Sequence, residues 1–343
     1  MGSQFKKHIK PSPFLTIYKE HFKKPNPMRL QTLSFALFLL ALCACSKSND
    51  TGSQPLTALT DVQYGTAPDS GGVSTPLLMD VYFPTGATTA GHYPLVVMIH
   101  GGSFVSGDKS DEKTHCSILA DSGFVAVSIN YRLGWRTGPS QCTGDTASKR
   151  LAVYRAMQDA NAALRFLVSK AGSYAIDTSW IFIGGNSAGS GTALTTTYIP
   201  DAVAQQLCVA ERAQLGPLNT SGNNLTNAFS IKGVANLWGA LPDSNLVSGS
   251  TARPMISFHG TYDGVVPYDF GYANSCSNYG VEYGSACLTR RVYAAKKPYQ
   301  LYLKVGGGHG PSEYGPAFTM PRAAAFFKKL VKGEAITNKV EMD

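Results

Sequence analysis

In this chain of 343 residues the clearest chemistry lies in Gly185-Asn186-Ser187-Ala188-Gly189. A serine with glycine two residues away on each side suits a tight, strained turn that presents its hydroxyl as a nucleophile. The glycines are needed because side chains there would strike neighbouring backbone. Short Gly/Ser runs arise by chance, so the flanks decide. Residues 180–183 (WIFI) read as a strand and residues 187–198 as a helix. The required order of strand, turn and helix is present.

Attack on a carbonyl by such a hydroxyl places negative charge on oxygen, and backbone N–H groups must be waiting for it. His100-Gly101-Gly102-Ser103-Phe104 follows another apolar strand, residues 95–99. Its glycines let the backbone come close. Gly102 and Ser103 are the expected oxyanion donors, with Gly101 next and the N–H of Ala188 from the nucleophile turn. His100 itself is expected to brace this loop.

A serine is inert without a base, and the base needs an orienting carboxylate. His309 lies in Val305-Gly306-Gly307-Gly308-His309-Gly310, a glycine loop after the last strand that can reach back over the serine. His92 and His115 precede the nucleophile, on a loop and a helix. His259 ends a strand, where packing suits it better than proton transfer. For the acid, Asp263 sits in the loop His259-Gly260-Thr261-Tyr262-Asp263 after the strand at residues 254–258. Asp269 comes a few residues late and reads as a surface or capping carboxylate.

The elements that must hold these loops alternate. Strand-like runs fall at residues 62–65, 77–83, 95–99, 124–130, 180–183, 232–238, 254–258 and 300–305. The first two are edge-like. The rest are the β-branched, apolar runs of buried parallel strands. Helical patterns occupy residues 111–121, 152–169, 187–198 and 322–331. This alternation implies a doubly wound sheet with helices on both faces. Two stretches break the pattern: residues 134–148, rich in Gly, Ser and Thr, and residues 201–228. They read either as loops or a small cap over a pocket, or as plain surface insertions. Arg155 and Asp159, one helical turn apart, are expected in a buried network bracing Asn130-Tyr131-Arg132. Phe104, Trp135 and Tyr262 adjoin the reactive loops as pocket lining or core.

A net charge of +8 suggests a basic protein. However, Lys6, Lys7, Lys10, Lys19, Lys23, Lys24 and Arg29 face only Glu20 in residues 1–29, so this segment holds six of the eight charges. The remainder carries no basic face for nucleic acid. With 43% hydrophobic and 15% charged residues, the composition is that of a globular domain. After Arg29, an apolar core of about ten residues is too short to span a bilayer and suits a signal peptide. It ends at Leu42-Cys43-Ala44-Cys45, which resembles a bacterial lipobox. Cys45 fits lipidation better than Cys43, whose preceding Leu42 is bulky, and an ordinary secretory signal is the alternative. The expected organisation is a signal peptide at 1–45, a tether at 46–60, a catalytic domain at 61–335 and a tail at 336–343. Met28 is an alternative start. Export to the cell envelope, with a membrane tie through that lipid, is the expected location, and cysteines there can pair. Cys276 with Cys287 is the expected disulfide, and Cys116 with Cys142 a weaker pair.

Taken together, HGGSFVSGDKSD (residues 100–111), SINYRLGW (128–135), QDANAALRFL (158–167), GGNSAG (184–189), HGTYDGVVPY (259–268) and GGGHG (306–310) resemble the esterase/lipase branch of the α/β-hydrolase superfamily. They are similar to carboxylesterases, hormone-sensitive-lipase-like enzymes, and bacterial esterases that remove acetyl or feruloyl groups from polysaccharides. The resemblance covers residues 77–331. It implies the α/β-hydrolase fold: a mostly parallel eight-stranded sheet, helices on both faces, and a small cap or loop insertions. It also implies a serine carboxylic-ester hydrolase with Ser187, Asp263 and His309 as triad, since Ser, Asp, His is the chain order of this fold. A minority of relatives place the acid where Asp243 stands, making it the reserve. Ser103 departs from the third glycine common in the family. Short-acyl or aryl esters, as small molecules or as acetyl or feruloyl groups linked to a polysaccharide, are the expected substrates, with no metal and no cofactor. An exported peptidase or amidase with the same triad, and a non-catalytic surface binder, are the rival readings.

Overall fold

The computed structural model describes residues 53–343. The signal-peptide reading, Cys45 and residues 46–52 of the expected tether lie outside these residues. The chain then runs β1 (Leu59–Pro68), β2 (Ser74–Tyr82), β3 (Tyr93–Ile99), α1 (Lys113–Asp121), β4 (Val125–Ile129), α2 (Thr146–Ser169) and β5 (Ile176–Asn186). It continues through α3 (Ala188–Tyr198), α4 (Asp201–Leu207), α5 (Val209–Leu215), β6 (Ile231–Leu237), β7 (Met255–Gly260), β8 (Phe270–Tyr272) and β9 (Val281–Tyr283). Last come α6 (Ser285–Ala294), β10 (Tyr299–Lys304), α7 (Pro316–Lys332) and β11 (Lys339–Met342).

The main sheet has nine strands in the order β1-β2-β4-β3-β5-β6-β7-β10-β11. Only the β1–β2 and β2–β4 pairs are antiparallel. The pleat sorts the core. Along β3, Leu95, Val97 and Ile99 join one apolar cluster with Ala152, Ala156, Ala160 and Ala163 of α2, whose small side chains let that helix press close to the sheet. Val96 and Met98 point the other way, into a second cluster with Leu119 of α1 and Phe326 and Phe327 of α7. Both faces are covered, which explains why the central strands read as unbroken apolar runs. Asp145 starts α2 by accepting the Ala147 N–H at 3.0 Å, and Gly333 ends α7 in the left-handed region at φ 66°.

The structure departs from the sequence reading at several points. The ninth strand is β11, formed by part of the expected tail, which pairs in parallel with β10 through Gln300 to Leu303. The expected tether is tied down early: the Leu56 N–H reaches Ala87 O at 2.8 Å, and β1 opens at Leu59. Helices α4, α5 and α6 and the small β8–β9 hairpin carried no pattern clear enough to be anticipated.

The buried network behind Asn130-Tyr131-Arg132 exists with a different cation. Asp159 is fully buried and pairs with Arg132, not Arg155. Its Oδ2 accepts the Arg132 backbone N–H at 2.8 Å, and both its oxygens accept Arg132 Nε at 2.9 Å. Arg132 also donates to Pro68 O, Gln158 and Ser221, stitching the edge of the sheet to α2 and the following insertion. Arg155, the other residue expected in this network, reaches Gly134 O at 3.5 Å.

Neither expected disulfide forms. Cys142 bonds Cys276 across 134 residues, while Cys116, Cys208 and Cys287 are free. Sequence proximity favoured Cys276 with Cys287, but α6 begins at Ser285 and carries Cys287 away. Gln141 Nε2 donating to Asn274 O and Asn278 Nδ2 donating to Cys142 O hold the bridged loops together. Digestion without reductant should release the Cys142 and Cys276 peptides joined, and a Cys276–Cys287 peptide would contradict this packing. Replacing Cys142 with serine should cost about 2–5 kcal/mol in denaturant unfolding. Asp159→Ala should cost about 3–5 kcal/mol by leaving the Arg132 charge buried and unpaired. Adding Arg132→Met should return part of that loss, and full additivity of the two changes would refute the pairing argument.

Candidate active site

The loops that follow β3, β5, β7 and β10 bring the reactive groups together at one edge of the sheet. Ser187 sits between β5 and α3 with φ 53° and ψ −122°, outside the comfortable region for a non-glycine residue. A Cβ at Gly189 would lie 2.0 Å from Ile99 O, and one at Gly185 would lie 2.4 Å from the same oxygen. Only glycine at both positions allows β3 and the serine turn to pack this closely.

His309 reaches back from the loop after β10. Its Nε2 lies 2.8 Å from Ser187 Oγ, and its Nδ1 lies 2.8 Å from Asp263 Oδ2. Asp263 has four donors. Oδ1 accepts the Val265 and Val266 N–H groups at 2.8 and 2.9 Å, and Oδ2 faces His309 and, at 3.2 Å, His259 Nε2. Burial by itself would raise the Asp263 carboxyl. The hydrogen bonds from His259 and His309, the charge at His309 and the Val266 amide overcome that and hold it well below the usual carboxylate range. A hydroxyl, an imidazole and an ionised carboxylate thus form one relay, an arrangement able to take a proton from the hydroxyl and return it to a leaving group.

Beside the serine, the loop after β3 runs through three successive residues of positive φ: Gly102 at 100°, Ser103 at 52° and Phe104 at 61°. The carbonyl of Gly102 accepts the Val105 and Ser106 N–H groups, which closes the turn. Among the described residues, the Gly102 and Ser103 N–H groups donate to no backbone carbonyl. The Ala188 N–H opens α3, where a helix supplies no acceptor of its own. The Gly101 carbonyl accepts from His100 Nδ1 at 2.8 Å and from Tyr131 OH at 3.2 Å. The His100 ring stacks on Tyr131 with centroids 4.4 Å apart, and burial pushes its pKa below the ordinary histidine value, so it stays neutral. This is the bracing expected of it.

Sequence reasoning missed two groups. Glu112, fully buried, accepts a hydrogen bond from Asn186 Nδ2 and lies 3.1 Å from His115 Nδ1, so a carboxylate supports the residue before Ser187. His259 is not merely packed, since it touches Asp263. Its place four residues before that aspartate was the available signal. Of the other acids considered, Asp243 caps a short turn at Asn245 N and Asp269 pairs with Arg290.

Ser187 opens onto a cavity of about 810 Å³. Both irregular stretches help to wall it: Trp135 from the first, and Leu207, Val209 and Glu211 from α4 and α5. Val153 and Met157 of α2 line its inner side. Phe104 and Trp135 serve as lining and core at once, whereas Tyr262 is 81% exposed and stands outside the lining. Trp135 meets Tyr279 edge-on at 5.4 Å, and Lys149 lies over both rings while pairing with Glu282 at 3.3 Å. No helix among the described residues is long and apolar enough to cross a membrane.

Comparison with known proteins agrees with this architecture. Residues 79–241 match the BD-FAE family. The chain is 32% identical over 125 residues to the cAMP-regulated D2 protein of Dictyostelium discoideum, covering 36% of this chain and 22% of that protein. It is 34% identical over 113 residues to carboxylesterase 3B of Mus musculus, covering 33% of this chain and 19% of that protein. The matches thus span about a fifth of these relatives' length. Among solved structures, Thermogutta terrifontis esterase 2 phosphorylated by paraoxon superposes with a TM-score of 0.57 at 19% identity, over 84% of this chain and 97% of that one. A truncated carbohydrate esterase from gut microbiota gives 0.56 at 18%, over 81% and 98%. With its nine-stranded sheet, helices on both faces and reactive loops at one strand edge, the chain has the α/β-hydrolase fold, and its residues 79–241 match BD-FAE.

Proposed function

We propose that this protein is a serine carboxylic-ester hydrolase working through an acyl-enzyme. The observation that carries the reading is the unbroken line from Ser187 Oγ through His309 to Asp263, 2.8 Å at each step. Ser187 attacks the ester carbonyl while His309 Nε2 takes its proton. The oxyanion gathers the N–H groups of Gly102, Ser103 and Ala188. His309 then protonates the departing alcohol, and water, deprotonated by the same imidazole, releases the acid. Asp263 stays ionised and holds the imidazole in the tautomer that leaves Nε2 free to accept. These steps call on no cofactor.

The cavity supports a bulky substrate. Its volume of about 810 Å³ is that of a site for a drug-sized molecule, far more than an acetyl group needs. The apolar inner side, from Val153, Met157, Leu207 and Val209, suits an aryl or extended acyl ester, free or linked to a polysaccharide. We further propose export and a lipid anchor at Cys45. That reading rests on the apolar segment and the Leu42-Cys43-Ala44-Cys45 sequence alone.

Ser187→Ala should lower turnover by several orders of magnitude and leave about 10³- to 10⁴-fold over water. The parent should react with a fluorophosphonate at Ser187. In a p-nitrophenyl ester series assayed beside methyl ferulate, acetylated xylan and peptide anilides, longer acyl and aryl esters should exceed acetate, and anilides should be poor. A Ser187→Ala protein as active as its parent rejects the mechanism, while preference for anilides makes the protein an amidase.

A further inference from the structure

Behind the acid of the relay lies a second histidine at the end of a buried polar chain. Ser190, Asn236, His259 and Ser285 are each 0% exposed and come from α3, β6, β7 and α6. Ser190 Oγ donates to Asn236 Oδ1 at 2.7 Å, and Asn236 Nδ2 donates to Ser285 Oγ at 3.1 Å. Ser285 Oγ lies 2.7 Å from His259 Nδ1, and His259 Nε2 lies 3.1 Å from Val266 O and 3.2 Å from Asp263 Oδ2. Ser190 stands one turn beyond Ser187 on the same helix. The chain therefore runs from the nucleophile's helix through the floor of the site and back to the nucleophile by way of Asp263 and His309.

Two of its ends are fixed in direction: the Asn236 amide and the outer nitrogen of His259. The Gly239 N–H donates to Asn236 at 2.9 Å, so that atom is the amide oxygen and the amide nitrogen faces Ser285. Ser285 Oγ accepts there and meets His259 Nδ1 at 2.7 Å. The other ring nitrogen faces a carbonyl and a carboxylate, neither of which can donate when Asp263 is ionised, so Nε2 carries the proton. His259 thereby carries a hydrogen on Nε2, bonded to Val266 O and 3.2 Å from Asp263 Oδ2.

We propose that His259 is a positioning residue for the reaction: its Nε2–H, placed between Val266 O and Asp263 Oδ2 by the contacts of the ring with Ser285 and Asn236, keeps the Asp263 carboxylate aimed at His309. This rests on the reading of Ser187, His309 and Asp263 as the reacting relay. Without that N–H, Asp263 Oδ2 keeps His309 as its only side-chain donor, and the carboxylate is free to swing about its two backbone amides.

The test compares His259→Ala, His259→Gln and Ser285→Ala with the parent in p-nitrophenyl ester turnover. Each preparation is titrated with fluorophosphonate, so that turnover is counted per competent Ser187. His259→Ala should lower kcat about 10- to 100-fold, the value of one hydrogen bond to a charged group, with KM little changed. His259→Gln, whose amide nitrogen can replace Nε2–H, should recover most of the loss. In an Asp263→Ala background, His259→Ala should cause no further fall, because its target is gone; a packing role would subtract again. The downfield proton of the His309–Asp263 hydrogen bond should shift in His259→Ala and return in His259→Gln. If His259→Ala does not fold, Ser285→Ala decides, with an expected fall of about tenfold. Unchanged kcat in the variants, or full additivity with Asp263→Ala, overturns the proposal and leaves the relay standing. A parent that neither turns over esters nor reacts with fluorophosphonate overturns both.

Discussion

One backbone conformation governs the site. Ser187 at φ 53° and ψ −122° costs on the order of 1–3 kcal/mol, and the surrounding sheet must impose it. Three contacts do so. The Ser187 N–H is held by Leu237 O at 3.0 Å, its carbonyl accepts the Gly191 N–H at 2.9 Å, and Gly185 and Gly189 are pressed against Ile99 O. These partners belong to β3, β6 and α3, so the turn exists only when two strands remote in sequence are in register with β5 and the helix that follows it. In parallel strands that register also brings the loops after β3, β7 and β10 to the same edge. The geometry at His309 is a consequence of the sheet, not of the loop that carries it.

Polar groups buried beneath that edge turn register into direction. In a low-dielectric interior an unmet donor or acceptor is costly, and a fully met network is rigid. Asp263 illustrates this. Two backbone amides fix one oxygen and two imidazoles fix the other, leaving its carboxylate no second orientation of comparable energy. Glu112 does similar service on the other side, where its bond to Asn186 restrains the residue before the nucleophile. Asn186 also abuts the loop after β3: a Cβ on Gly101 would come within 2.3 Å of Asn186 Oδ1. A change at Glu112 would therefore be felt in both reactive loops, although that carboxylate is out of reach of any substrate.

What could be read from the sequence divides along the same line. Segments whose function is local were legible: glycine spacing around Ser187, the glycine run before His309, and apolar runs that become the central strands. Ser187, Asp263 and His309, which the structure brings together, could be named because few histidines and acids follow strands on the proper side of the serine. What escaped depends on non-local pairing. The network at Asp159 was expected, but that Arg132 is its cation depends on the turn after β4 pointing the guanidinium inward, and helical spacing says nothing of that. Cys142 meets Cys276 for the same reason. The edge strand β11 is polar and short, and only its pairing with β10 marks it as a strand. His259 was misjudged because a histidine at a strand end looks like core until the following loop is seen to fold back over it.

The cavity shows how the inserted segments bear on the chemistry without taking part in it. Residues 263–283 carry the acid at one end and wall residues Tyr279 and Glu282 at the other, and the Cys142–Cys276 bond lies between them. The partner loop brings Trp135, which rests on Tyr279, and Lys149 clamps both rings. Pocket shape and acid placement thus share one covalently fastened frame. On the opposite wall, α4 and α5 present Leu207 and Val209, each more than half exposed, and are held by the Arg150–Glu211 and Arg212–Asp201 ion pairs and not by a disulfide. The two walls are built for different tasks. A substitution on the α4–α5 side can reshape the pocket while leaving the relay intact, whereas one on the disulfide side moves both. Changes in substrate range that spare the rate of chemistry should therefore accumulate on α4 and α5.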